Sequence, residues 1–220
     1  MADEVSPGTV ARAVARVVYG DLVTVVVTSL LFTLAALPVV TLGAALLALV
    51  ETWTTVVTRR DTGAPPAERG RAELFLGAVR RNVRAGLPYT LVLSFVGGLT
   101  GFYYVVGTAR GSGLFLLAAL VGLYGVVVVL AWSLRAASVR ARSERPLGVR
   151  GAVTVAGETF LDRPSFAVLV AVALAGVLVI GAVVRVVVPL VVPAVLAVVE
   201  VVAFEELGGD GAAAVRATYR

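Results

Sequence analysis

The chain has 220 residues, 59% of them hydrophobic and only 15% charged, with a mean hydropathy of +0.97. Soluble domains are about half apolar and a quarter charged, so this composition excludes an ordinary soluble globule and indicates a membrane protein. The formal net charge is +5, with arginine as the only basic residue type; lacking cysteine and histidine, the chain has no disulfide, thiol nucleophile, imidazole base or usual zinc, haem or iron–sulfur ligand.

The first residues, MADEVSPG, are acidic, and the apolar run that follows is longer than a signal-peptide core of about 7–15 residues, so it is expected to persist in the mature protein. Residues 1–17 read as a cytoplasmic amphipathic segment: Val10, Val14, Val17 and Val18 share one helical face while Arg12 and Arg16 share another. Asp21 is placed to cap the helix that enters the bilayer.

From Leu22 to Val57 the only charge is Glu51, and one straight helix over that run would be about 54 Å long. The hydrocarbon core is only about 30 Å thick. Pro38 removes a backbone donor and Gly43 adds flexibility, so this helix-break motif divides the run into spans near 18–37 and 40–58, turning at the outer surface. A single tilted, kinked helix is the alternative.

Residues 59–85 form a basic cytoplasmic segment whose "RAELFLGAVRRNVRAGLP" sets Leu74, Phe75, Ala78 and Val79 opposite arginines, the pattern of an interfacial helix. Apolar stretches at 87–107 and 114–134 follow, joined by "TARGSG" as a hairpin. A second basic segment, 135–163, leads to spans near 165–184 and 187–206, with a reversal at Pro189 and Pro193. Residues 207–220 are a polar tail.

The expected fold is therefore all-α: a polytopic transmembrane helical bundle in one domain, 18–206, with six spans (five in the alternative) and amphipathic inner-surface helices. Six spans put seventeen of the nineteen arginines on one side, leaving Arg110 and Arg185 on the other, so the positive-inside rule places both termini in the cytoplasm.

The stretch "VVYGDLVTVVVTSLLFTLAALPVVTLGAALLALVETW" resembles the YesL-like family, small prokaryotic integral membrane proteins of unknown biochemical function. The similarity centres on Leu37, Pro38, Val39, Val40, Thr41, Leu42 and Gly43, which match an "LPIVTIG" type signature, with Tyr19 at a matching aromatic position. Asn82 after basic residues in "ELFLGAVRRNVRAGLP", and Pro193 with Phe204-Glu205 in "VVPAVLAVVEVVAFEEL", are similar to later family features. The similarity covers about 15–206; the valine-rich first span and arginine in place of lysine depart from the pattern. It implies a carbohydrate-uptake or polysaccharide-breakdown context in a prokaryotic cell membrane, and no catalytic residues.

Ionisable groups inside a bilayer are costly and mark functional candidates, so Glu51 and Glu200 form a candidate polar site for substrate or protons. The competing reading pairs each with an inner-edge arginine or a neighbouring Thr or Tyr. Arg80, Arg81 and Arg84 are candidates for docking a partner, such as a transporter subunit, or anionic lipid headgroups. Gly97 with Gly101, Ala118 with Gly122, and Gly176 with Gly181 have spacings that suit close helix packing, within the bundle or in a homodimer. "GTARGSG" lacks the lysine of a phosphate-binding loop. Aromatic residues are not interleaved with the basic ones, which argues against nucleic acid. No enzyme, cofactor or metal is expected; the leading function is a non-catalytic accessory or assembly protein, and the alternative is a small-molecule transporter.

Overall fold

In the computed structural model, residues 7–58, 68–143, 147–184, 187–208 and 211–219 are described; Arg59, Arg60, the "TGAPP" turn, Arg145 and Arg185 lie outside them. The described residues are helical, without strands. In chain order the helices are α1 (Pro7–Gly20), α2 (Leu22–Ala36), α3 (Leu42–Thr58), α4 (Glu68–Arg110), α5 (Gly113–Arg142), α6 (Val149–Asp162), α7 (Pro164–Val183), α8 (Val187–Leu190), α9 (Val192–Gly208) and α10 (Ala212–Thr218).

Helices α3 and α9 form the centre, with Gly43 to Val50 buried without interruption and Ala194, Ala197, Val198, Val201 and Val202 fully or almost fully enclosed. Helices apolar around their whole circumference belong where neighbours cover every face. By contrast α1 is amphipathic, burying Ala13 and Val17 while Arg12 and Arg16 stay exposed. It meets α2 at an 85° bend.

Four described helical segments are long and apolar enough to cross a membrane: Val39–Thr58, α4, α5 and Pro164–Gly181; counting the bent α1–α2 pair as one gives five. The chain is thus a helical membrane protein, though six spans do not emerge directly. Helix α2 has 15 residues and α9 has 17, both short of the roughly 20 that span a hydrocarbon core.

The long apolar run does break where the proline and glycine stand: α2 ends at Ala36, Pro38 precedes a single 3-10 turn at Val39–Thr41, and α3 begins at Leu42. Gly43, however, lies inside α3 and is required by packing. A Cβ there would lie 2.0 Å from the Gly86 carbonyl oxygen, and one on Gly86 would lie 2.2 Å from the Ala44 nitrogen. The α3 and α4 backbones cross in direct contact at these two glycines. Thr90 completes the crossing: its hydroxyl accepts from the Gly43 N–H at 2.8 Å, one of the donors a helix start leaves without an internal partner, and donates to the Val40 carbonyl at 3.1 Å.

This crossing fixes a register that differs from the sequence expectation. The Pro38 turn lies beside Thr90, and α4 continues for twenty residues, about 30 Å of helix, before its own turn at Gly111. Gly111 adopts φ +62 and the Ser112 N–H reaches back to the Gly107 carbonyl at 3.1 Å, a left-handed glycine C-cap. The two turns are therefore not level along α4.

Two further differences concern the basic segments. The amphipathic stretch of the first is not a separate surface helix but the N-terminal half of α4, which runs through Pro88. Pro88 withholds a donor from the Arg84 carbonyl, yet both residues are exposed, so water or headgroups can serve that carbonyl. The second segment starts inside α5, which continues to Arg142.

Small residues divide by environment. Gly122 faces Thr100 and Gly181 faces Val192 within the bundle, whereas a Cβ on Gly97, Gly101 or Gly176 would meet nothing within 4 Å. Internal packing accounts for the first group only.

Candidate functional site

The ionisable side chains gather at one end of the helix set, where α3, α5 and α9 finish and α2 and α4 begin. Glu51 lies on α3, eight residues past the glycine crossing, and faces α4 because the two helices are locked antiparallel there. Its carboxylate accepts from Arg81 Nη2 at 2.6 Å and from Asn82 Nδ2 at 2.8 Å. Asn82 is buried and also donates to the Ala78 carbonyl at 3.0 Å. The Arg81 side chain is 61% exposed and that of Glu51 35%, so this is an interfacial pair.

Glu200, on α9, is placed differently. It is fully buried, as is Arg135 on α5, whose Nε donates to Oε1 at 2.5 Å and whose Nη2 donates to Oε2 at 3.4 Å. Around the guanidinium stand two aromatic faces, Phe160 with its centroid 5.2 Å away and Phe204 at 5.7 Å. Nη1 finds no hydrogen-bond acceptor among the described residues. The rings supply cation–π attraction around a fork only partly satisfied by oxygen. Two turns further along α5, Arg142 pairs with Glu205, tying α5 and α9 a second time.

A third cluster joins elements distant in sequence. Arg71, buried at the start of α4, donates to Asp21 at 2.6 Å, to the Thr24 hydroxyl, and to Glu68 at 3.5 Å. The Tyr219 hydroxyl, just past α10, donates to the other Asp21 oxygen at 2.8 Å, so the end of the chain reaches the α1–α2 junction where Arg71 of α4 is also held. Asp21 makes no side-chain cap to α2, contrary to its sequence expectation; its carboxylate instead neutralises Arg71.

The two candidate acids therefore sit in separate ion pairs, one at a surface and one dry, not in a shared site. Arg80 and Arg84 are exposed on α4 beside Arg81. Sequence reasoning missed Arg135 and Arg71, which it counted with the loop arginines. The available signal was their company: Arg135 is followed by Ala136, Ala137 and Ser138, which suit close helix packing better than a solvated loop.

Next to Glu51 the helices leave a polar cavity of about 360 Å³, lined by Glu51, Arg81, Asn82, Arg140 and Ser143 with Ala137 and Ala141. Arg140 uses one Nη1 donor on the Leu147 carbonyl at 2.9 Å. Its remaining N–H groups, with those of Arg81, give the cavity anion-binding capacity. Among the described residues no group of acidic side chains has the arrangement of a metal site. Comparison with protein-family models, curated proteins and solved structures finds no match for this chain.

Proposed function

We propose that this chain is a non-catalytic accessory or assembly protein of a prokaryotic cytoplasmic membrane, with both termini cytoplasmic. The motif resemblance supplies its context, carbohydrate uptake or utilisation, with a transporter subunit as the docked partner. The observation that carries this reading is the pairing of both candidate acids with arginine, Glu51 with Arg81 and Glu200 with Arg135. A carboxylate held in this way is a structural element of the bundle, while Arg80 and Arg84 remain outward on a rigid helix for a partner to meet. Six crossings are the count only if α2 and α9, despite their length, both span and the Pro38 turn reaches the outer face; if the α4–α5 hairpin sets the bilayer depth, the count is lower.

Crosslinking in native membranes followed by gentle extraction and mass spectrometry tests the reading. A stoichiometric transport subunit that disappears with the triple change Arg80→Gln, Arg81→Gln, Arg84→Gln supports it; recovery of the chain alone, beside a known complex as control, opposes it.

The 360 Å³ polar cavity favours a second reading, a small-molecule transporter. Glu51→Gln separates the two, because Glu51 is partly exposed and its loss leaves no dry charge. Loss of the cellular phenotype at normal expression supports transport, and tolerance supports the accessory role. Glu200→Gln is uninformative here, since it strands Arg135.

A further inference from the structure

The polar cavity is one of two openings along the seam between α4 and α5. The second, about 270 Å³, is almost wholly apolar and is lined by Tyr89, Val92, Val128 and Trp132, with Val149 and Val153 from α6. Asn82 lines the first opening and Tyr89 the second, seven residues apart on α4; they share a helical stripe about 10 Å apart in height. The same relation holds on α5 between Ser133 and Arg140. A cationic opening and a greasy one are therefore stacked along a single pair of helices.

The join between them carries its own signal. Tyr89 is 4% exposed and its hydroxyl has no hydrogen-bond partner among the described residues. A buried hydroxyl left unpaired is costly, so the site is short of one acceptor. Trp132, at the rim, already donates its indole N–H to the Val153 carbonyl at 3.0 Å, which holds α6 against the groove and leaves the ring to form its wall.

We propose that this seam binds one membrane phospholipid, its phosphate held by Arg81 and Arg140, an ester oxygen accepting from Tyr89, and an acyl chain in the groove against Trp132 and Val153. Charge complementarity selects the headgroup: Arg81 balances Glu51, to which Asn82 also donates, and Arg140 leaves the opening with a net positive charge. The apolar opening selects the tail, because such a cavity is unfavourable for water. Basic pockets between membrane helices are suited to phosphate headgroups. The inference is independent of the accessory reading.

Native mass spectrometry of the delipidated full chain in detergent tests it, with phosphatidylglycerol, diacylglycerol and glycerol 1-phosphate as probes. The expected result is retention of one phosphatidylglycerol per chain, about tenfold stronger than either of the others. Arg140→Gln and Tyr89→Phe each weaken retention. Val153→Trp, which fills the groove from a partly exposed position and spares the arginines, weakens it too. Equal retention of diacylglycerol overturns the proposal by making the phosphate irrelevant. Glycerol 1-phosphate retained as strongly as the lipid overturns it in favour of a soluble-anion site. If Arg140→Gln lowers the melting temperature, Val153→Trp decides: wild-type retention in that variant overturns the proposal.

Discussion

At Gly43 and Gly86 two backbones occupy the space a side chain would need, so Gly43→Ala forces α3 and α4 apart. Overpacking typically costs about 1–3 kcal/mol and here meets backbone, so a fall of roughly 10 °C in melting temperature in detergent is expected. Gly97→Ala, with open space around it inside α4, instead raises the melting temperature slightly, since alanine is about 0.5–1 kcal/mol better than glycine in a helix interior. The sequence marked Gly43 as special through its neighbour Pro38 but assigned it flexibility; the partner glycine was invisible because contact across 43 positions leaves no local pattern. The buried pair behaves in the opposite sense. Arg135→Met or Glu200→Leu alone strands a dry charge and costs about 3–5 kcal/mol, whereas the double change restores most of the stability. Thermal unfolding of the four proteins checks this; additive losses would show that the pair is not coupled. Glu200 stood out in the sequence as an acid within an apolar run, but its partner did not, since arginine near a span end is ordinary.

Helix α4 shows how an element can outlast its sequence punctuation. Pro88 reads as a boundary between an interfacial helix and a span, yet the packing of Phe75, Ala78, Asn82, Gly86, Tyr89 and Thr90 along one stripe continues across it. Those contacts hold the helix together on its inner side while the proline sits on the exposed side. Pro88→Ala then supplies the missing donor to the Arg84 carbonyl without disturbing the packed stripe. An interior proline costs about 3 kcal/mol relative to alanine, so a gain of roughly 1–3 kcal/mol is expected, read as a higher melting temperature. A loss would show that a bend at Pro88 is part of the fold. The hydrogen bond from Tyr219 to the α1–α2 junction is the counterpart that the sequence could not reveal, because Tyr219 and Asp21 stand 198 positions apart.

Over the whole molecule, the register set by the glycine crossing decides how the hairpins lie relative to one another. Thr33 on α2 donates to the Pro189 carbonyl at 3.2 Å, and the Ala194 N–H donates to Ser29 at 3.1 Å, so the turn between α2 and α3 and the turn between α7 and α9 share one level. That level is also Thr90's, while α4 and α5 run on with Leu91, Phe95, Phe102, Leu114 and Leu117 exposed. Apolar side chains displayed on both helices of a hairpin need lipid, and the distance from Thr90 to Arg110 is about one hydrocarbon thickness. If that hairpin crosses the bilayer, the Pro38 turn lies near the opposite face from Gly111. A cysteine at Ser112 should then react with an impermeant reagent applied from outside, and one at Thr41 should not. Apolar length, which gave six spans with five as the alternative, was legible in the sequence, and helix register was not. Labelling of both positions from outside would restore the equal-depth arrangement and require α4 to bend sharply enough at Pro88 to bring its distal half alongside the other hairpins; labelling of Thr41 alone would reverse the hairpin that crosses.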